Sequence, residues 1–111
     1  MIDITKLKTF IAVADLGSFS KASEILYITQ PAVTQQIKAL EKIVGAKLFQ
    51  RQGGKIVLTE EGKRIYEMAK ALLNDYEALM EEMAKIKKDL KDTLFVGIST
   101  TLSGYKLPEL I

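Results

Sequence analysis

Side chains able to form hydrogen bonds are concentrated on one side of a helix predicted over residues 30–44. The opposite side carries apolar residues spaced as one helical stripe, which we expect to be buried: Val33, Ile37, Leu40 and Val44. The outward residues are short, polar and partly basic: Pro31, Thr34, Gln35, Lys38 and Lys42. Amide and hydroxyl groups match base edges in a DNA major groove, and lysine matches phosphate. The pattern therefore predicts a helix that lies on DNA, although each of these residues is also common on a solvated helix.

Two shorter elements are predicted to precede this helix and to hold it in place. The first covers residues 4–16, with Asp3 as the N-cap and Gly17 as the residue that ends it. The second begins after Ser20 as the N-cap and ends near Leu26. Its expected inner face consists of Ala22, Ile25 and Leu26.

The start of the third helix is marked by a turn and a cap. Residues 27–28 form the turn, Thr29 is the predicted N-cap, and Pro31 lies in the first helical turn, where its missing N–H costs nothing. Gly45 is expected to end the helix. Together the second and third helices predict a helix-turn-helix.

A β-hairpin is predicted directly after the third helix. The runs 48–51 and 56–59 have strand character, and they flank a turn that contains Gly53 and Gly54. A hairpin in this position is a wing. Arg51 would lie near its tip with Gln52 and Lys55, where arginine suits a narrow minor groove of high negative potential. The alternative is an ordinary surface hairpin.

A long helix is predicted to open at Thr59 and to continue to about Leu90. Apolar residues follow two heptad rows in it: Ile65, Leu72, Leu79 and Ile86, and Ala69, Tyr76, Met83 and Leu90. Such a helix is about 45–50 Å long, too long for the preceding small domain to cover. The first turns could pack on that domain, and the remainder predicts a partner helix from a second copy of the chain.

The last residues change character after Asp92. Residues 93–99 predict a buried strand, and the following residues predict a loop and the start of a helix. One strand and part of a helix cannot form a core, so we expect them to open a second domain of a longer protein.

Composition excludes several classes of protein. The 111 residues contain no cysteine and no histidine, which removes disulfides and the commonest general base and metal ligand. We find no carboxylate cluster with metal-ligand spacing, no phosphate loop and no nucleophile elbow, so we expect neither an enzyme nor a cofactor. No signal peptide and no membrane-spanning run is visible, which favours the cytoplasm.

The charge is distributed unevenly along the chain. The net charge of the chain is +2. Residues 1–58 contain eight Lys/Arg and four Asp/Glu, whereas residues 59–92 contain seven Lys/Arg and nine Asp/Glu. The basic excess coincides with the helix-turn-helix, as a polyanionic partner would require.

These motifs together resemble the N-terminal region of LysR-type transcriptional regulators. The residues that carry the resemblance span positions 1 to about 62: Leu7, Phe10, Gly17-Ser18-Phe19-Ser20, Ala22, Leu26, Gln30-Pro31-Ala32-Val33, Gln36-Ile37, Leu40-Glu41, Gly45, Leu48-Phe49, Arg51, Leu58-Thr59 and Gly62. Where the family often has arginine in the recognition helix, this chain has Gln35. Glutamine pairs with adenine rather than guanine, so the family's base preferences transfer poorly at this position.

The resemblance implies a mainly α fold, with a winged helix-turn-helix over residues 1–58, a linker and dimerisation helix over 59–92, and the start of an effector-binding domain over 93–111. It implies that Gln30, Pro31, Thr34 and Gln35 approach bases. It further implies that Ser20, Thr29 and Lys38 meet phosphates.

The same resemblance implies an assembly and a ligand. The chain would bind a pseudo-palindromic duplex as an antiparallel homodimer, from which higher oligomers could form. Ser99, Thr100 and Thr101 would lie at the mouth of an effector pocket, or would simply cap a helix, and only the full-length protein would respond to a small molecule. The alternative from another class is a coiled-coil interaction module that does not bind DNA.

Overall fold

The structure, a computed structural model, describes the backbone of residues 2–102 and the side chains of residues 2–93. Its elements, in chain order, are α1 (Ile4–Leu16), α2 (Phe19–Leu26), α3 (Gln30–Val44), β1 (Phe49–Gln52), β2 (Lys55–Leu58) and α4 (Glu60–Leu102). The prediction of a mainly α fold with a winged helix-turn-helix and a long final helix is confirmed. The chain divides into two units between Asn74 and Asp75.

Most of the predicted helix ends are confirmed by their hydrogen bonds. The Asp3 side chain accepts the N–H of Lys6 at the start of α1, and Thr29 accepts the N–H of Ala32 at the start of α3. Gly17 and Gly45 end α1 and α3 in the left-handed conformation that glycine adopts without strain.

The predicted N-cap of α2 is wrong by two residues. Ser18, not Ser20, has extended backbone and accepts the N–H of Lys21 through its hydroxyl at 3.0 Å. Both serines are suitable caps by type. The difference arises because α2 begins immediately after the Gly17–Ser18 turn, which places Ser20 in the first helical turn.

The core of the first unit is aromatic and aliphatic. The ring of Phe10 lies 5.4 Å from that of Phe49 and 6.5 Å from that of Tyr66, and Phe19 meets Phe49 edge-on at 6.1 Å. The buried apolar residues are Leu7, Phe10, Ile11, Val13, Ala22, Val33, Ile37, Leu40, Leu48, Phe49 and Ala69. Helices α1, α2 and α3, the wing and the first turns of α4 therefore share one core.

Two residues expected in this core are exposed. Ile25 is 61% exposed because α2 has only two turns and buries Ala22 alone. Val44 is 43% exposed because it is the last residue of α3, one turn beyond Leu40, where the buried stripe ends.

One polar pair lies within the contact between α1 and α3. Thr9 is 1% exposed, and its hydroxyl is 3.1 Å from the carbonyl of Thr5. The same hydroxyl is hydrogen-bonded to the side-chain amide of Gln36 on α3. Because the pair satisfies itself, burying it does not carry the cost of an unpaired polar group.

The wing is attached to the rest of the unit at its base. Strands β1 and β2 pair antiparallel, with Gln52 opposite Lys55 and the tip formed by Gly53 and Gly54, both at positive φ. The N–H of Ile56 donates to the carbonyl of Gly17 at 3.4 Å, and the N–H of Thr59 donates to the carbonyl of Leu48 at 3.0 Å. These bonds fix the wing relative to α1 and α4.

Helix α4 is longer than predicted. It continues to Leu102, so the strand expected over residues 93–99 is wrong. A helix satisfies its backbone hydrogen bonds internally, whereas a strand needs a partner strand, and the backbone described over residues 2–102 offers residues 93–99 none. Among the described helices, none combines the length and hydrophobicity that a membrane crossing requires.

Candidate nucleic-acid interface

A groove of about 650 Å³ opens between the start of α2, the outer face of α3 and the wing. We call this the α3–wing groove. Its lining residues are Gly17, Ser18, Phe19, Ser20, Gln30, Thr34, Ile37, Lys38, Glu41, Lys47, Phe49, Gln50, Arg51, Gly54 and Ile56. Three elements distant in sequence thus contribute polar and basic side chains to one concave surface.

Five residues predicted to contact DNA lie together in this groove: Ser20, Gln30, Thr34, Lys38 and Arg51. These side chains can bind DNA in two ways. The hydroxyl and amide groups can form hydrogen bonds with base edges, and the ammonium and guanidinium groups can bind phosphates. All are exposed except Thr34, which is half-buried.

The other predicted contact residues lie outside the groove lining. Pro31 and Gln35 are exposed on the first turns of α3, and Thr29 precedes them as the N-cap. Gln52 and Lys55 face each other across the wing, at the pair next to the Gly-Gly tip. The structure therefore divides the predicted set into a groove group and a group on the adjoining surface.

Sequence reasoning missed Ser18, Lys47 and Gln50, which also line the groove. The positive charge of Lys47 was visible in the sequence. Its position was not, because it depends on how the segment between α3 and β1 folds back on α3. Gln50 looked like any other residue of a strand.

One acidic residue, Glu41, lines this otherwise basic groove. Its carboxylate accepts the N–H of Leu48 at 2.9 Å and lies 3.8 Å from the ammonium of Lys47. The side chain is only 13% exposed. Glu41 therefore serves mainly to hold the segment after α3, while Lys38, Lys47 and Arg51 leave the groove with a positive balance.

A second polar cluster joins α1 to α4 and consists of Asp15, Tyr66 and Lys70. The phenol of Tyr66 donates to the carboxylate of Asp15, and Lys70 donates to the Tyr66 oxygen at 3.2 Å. The hydrogen bond to Asp15 raises the pKa of Tyr66, and the hydrogen bond to Tyr66 together with the charge of Asp15 raises the pKa of Lys70. This cluster fixes the first turns of α4 on α1.

The predicted dimer seam falls into two parts. Ile65 and Ala69 pack against the core of their own chain, as the first turns were expected to do, and Tyr76 is half-buried. The remaining apolar residues of the two heptad rows are each more than half exposed: Leu72, Leu79, Met83, Ile86 and Leu90. These five residues are named the exposed seam.

The predicted effector residues Ser99, Thr100 and Thr101 are helical in backbone, and their side chains lie outside the described residues. Residues 103–111 also lie outside them. Across residues 2–93, no group of three or more acidic side chains is arranged to hold a metal ion.

Known proteins are similar to this chain in sequence and in fold. A family model described as "Bacterial regulatory helix-turn-helix protein, lysR family" matches residues 4–63. The HTH-type transcriptional regulator CitR of Bacillus subtilis (strain 168) is 37% identical over 110 residues, which cover 99% of this chain. The chain spans only 38% of the length of that regulator.

Two solved structures of domains with DNA are similar in fold. The BenM_DBD/catB site 1 DNA complex has a TM-score of 0.72 and 31% identity, covering 78% of this chain and 96% of that chain. The CbnR_DBD–DNA complex has a TM-score of 0.68 and 31% identity, covering 78% of this chain and 99% of that chain. Both the matched residues and the fold lead to one conclusion: this chain belongs to the LysR family of bacterial regulatory helix-turn-helix proteins.

Proposed function

We propose that this chain is the DNA-binding and dimerisation part of a transcriptional regulator. The observation that carries the proposal is the α3–wing groove, which gathers Ser20, Gln30, Thr34, Lys38 and Arg51 on one surface. Solved relatives of the same fold are complexes with DNA. The chain would bind double-stranded DNA sequence-specifically, with α3 in the major groove.

The contacts divide by chemistry into those that read bases and those that hold the backbone. Base edges would be approached from the first two turns of α3, by the exposed Gln30, Pro31 and Gln35 and the half-buried Thr34. Ser20, Thr29 and Lys38 would meet phosphates. The hydroxyl of Thr29 already accepts the N–H of Ala32, but its proton remains available to donate to a phosphate oxygen.

The wing would contact the adjoining minor groove. Arg51 lies on the groove side of β1, and Gln52 and Lys55 form the strand pair next to the tip. A guanidinium is attracted to the negative potential of a narrow minor groove, which depends on DNA shape rather than on a single base. The wing would therefore add affinity and a preference for A·T-rich flanks.

A homodimer would form through the exposed seam of α4. Exposed apolar residues in two heptad rows favour a partner helix, since burying them removes apolar surface from water. Two copies would place two recognition helices on a pseudo-palindromic site, and this arrangement would allow dimers to associate further.

Residues 93–111 would begin an effector-binding domain in a longer protein, with Ser99, Thr100 and Thr101 near a small-molecule ligand. The regulator would act in the cytoplasm, where bacterial DNA lies. These assignments are supported by the family resemblance. They are also consistent with the chain spanning only 38% of the length of CitR.

The salt dependence of binding tests the proposed function. Affinity for a duplex selected from a random library should fall steeply as salt rises, by about 0.9 in log affinity per log salt for each neutralised phosphate. Fluorescence anisotropy over a series of salt concentrations measures this slope. A flat profile with no selected sequence would contradict DNA binding and favour a coiled-coil module that binds another protein.

A further inference from the structure

A second concave surface, of about 420 Å³, adjoins the α3–wing groove at the C-terminal end of α3. It is lined by Lys38, Glu41, Lys42, Gly45, Ala46 and Lys47. Three of these residues, Lys38, Glu41 and Lys47, also line the groove. Lys38, Lys42 and Lys47 are referred to below as the lysine cluster, and they extend the basic surface past the end of the helix.

The ammonium groups of the lysine cluster are available to a ligand. Lys38 and Lys42 are exposed and have no hydrogen bond or ion pair to any residue whose side chain the structure describes. The side chain of Lys47 is 76% exposed, and its distance of 3.8 Å from Glu41 makes only a loose ion pair. Because the ammonium of Lys47 is largely in solvent, this ion pair contributes little to stability and leaves Lys47 able to bind an anion.

Helix stabilisation does not account for the whole cluster. A lysine in the last turn of a helix, such as Lys42, interacts favourably with the helix dipole. Lys47 lies beyond the Gly45 cap, outside the helix. It is brought beside Lys38 because Glu41 holds the N–H of Leu48 at 2.9 Å and thereby folds the following segment back onto α3.

We propose that the lysine cluster is a phosphate-contact site for the DNA backbone next to the bases that α3 reads. This inference rests on the proposed function and deepens it, because it assigns Lys42 and Lys47 to backbone contacts. Lysine is a compact point charge without a fixed hydrogen-bond pattern, so it suits phosphate better than a base edge. The cluster would raise affinity for every sequence equally.

The salt slope of DNA binding tests this site. Lys42→Gln and Lys47→Gln should each lower the slope by about 0.9 and weaken binding roughly three- to tenfold at 0.1 M salt. The preferred sequence in a random-library selection should stay unchanged. Lys47→Arg keeps the positive charge and should retain the wild-type slope.

The matched control is Lys63→Gln. Lys63 lies in the first turn of α4, its side chain is 64% exposed, and it lines neither concave surface. The substitution removes the same charge from the chain, and the slope should remain that of the wild type. Thermal melting of every variant checks that the fold is intact.

The outcomes separate this inference from the proposed function. If the wild type binds DNA with a steep slope while Lys42→Gln and Lys47→Gln behave like Lys63→Gln, the lysine cluster is not a phosphate site although the proposed function stands. If the wild type itself shows no salt-dependent binding, both fail. A changed sequence preference in either variant would also overturn the assignment, because it would indicate base contact.

Discussion

Among single residues, Gln35 is expected to influence base preference most directly. It is exposed on the second turn of α3 and has no partner among the described residues. Gln35→Arg should shift the preferred base at one position from adenine towards guanine, because arginine pairs with the O6 and N7 acceptors of guanine. Stability should change by less than about 0.5 kcal/mol, since the side chain faces outward.

Selection from a random DNA library measures that change in preference. The matched control is Gln36→Arg at the next position, where the side chain is half-buried and bonded to Thr9. That variant should lose stability. An unchanged preference for Gln35→Arg would contradict the base-contact assignment.

Among the glycines of the described residues, Gly62 leaves the least room for a side chain. A Cβ added there would lie 2.3 Å from the carbonyl oxygen of Leu48 and 2.9 Å from the Leu58 side chain. The oxygen belongs to the backbone and cannot turn away. Gly62→Ala should therefore destabilise the first unit by about 1–3 kcal/mol through overpacking between α4 and the base of the wing.

Urea unfolding followed by circular dichroism measures this loss. Glu61→Ala at the adjacent exposed position provides the control and should remain close to the wild type. Equal unfolding midpoints for the two variants would show that the wing base can move to accept a methyl group.

At single residues, the sequence predicted features that have local causes and missed those that depend on distant contacts. Caps such as Asp3 and Thr29 followed from residue type and the neighbouring helix pattern, because their hydrogen bonds reach only three residues. The prediction of Ser20 instead of Ser18 as the N-cap of α2 failed because residue type alone does not distinguish two serines. The contact of Gly62 with Leu48 joins elements that only the folded chain brings together.

At the level of elements, the hydrogen-bonded cluster between α1 and α4 is expected to make the free energy of unfolding fall with rising pH in the alkaline range. The pKa values of Tyr66 and Lys70 are raised above their ordinary values of 10.0 and 10.5. Groups with raised pKa values stabilise the fold fully below their unfolded pKa and lose that contribution as the pH rises through the folded pKa. The cluster should therefore be intact at neutral pH and weaken above about pH 10.

Tyr66→Phe tests this dependence. It should cost about 0.5–1.5 kcal/mol at pH 7, because it removes the hydrogen bonds to Asp15 and Lys70. Between pH 8 and pH 11 the variant should lose less stability than the wild type, as measured by thermal melting. Tyr27→Phe alters a tyrosine that is 94% exposed and should keep the wild-type profile. Parallel profiles for Tyr66→Phe and the wild type would refute the pH argument.

The helices and the wing followed from sequence because each has a local signal. The apolar stripe of α3, the glycines after α1 and α3, and the Gly53–Gly54 turn all act over a few residues. The strand expected over residues 93–99 failed for the opposite reason. Its apolar run fits either a strand or a helix, and only partner strands would have decided for the strand.

For the whole molecule, assembly is expected to depend on the exposed seam of α4. Leu79 is 57% exposed and lies in a heptad row with Leu72 and Ile86. Leu79→Lys should convert the proposed dimer to a monomer, because it would bury a charge in the apolar seam between the two helices. Sedimentation equilibrium over a range of protein concentrations measures the change.

Ala78→Lys is the matched control, since it introduces the same charge one residue earlier, outside both heptad rows. It should leave the dimer unchanged. An intact dimer for Leu79→Lys, or an equal effect of both variants, would contradict a dimer held by the heptad rows.

The groove as a whole could be predicted only in part from the sequence. Ser20, Gln30, Thr34 and Lys38 were found because they lie on or beside the recognition helix, and Arg51 because it follows a hairpin signal. Lys47 was missed because its place depends on Glu41, which accepts the N–H of Leu48 seven residues later, and Gln50 because nothing distinguishes it from other strand residues. An excess of positive charge in a sequence indicates a polyanionic partner, but tertiary contacts decide which of the basic side chains lie on the binding surface.

The hydrogen bond between Thr9 and Gln36 is expected to affect the rate at which the chain associates with a DNA duplex. Successive residues on a helix are 100° apart, so Gln36 faces the interior while Gln35 faces outward. Any rotation of α3 about its own axis would break this part-buried bond between α1 and α3. The recognition helix is thus oriented before it encounters its target, and we expect association to proceed at a rate set by diffusion and charge steering, without a preceding rearrangement of the domain.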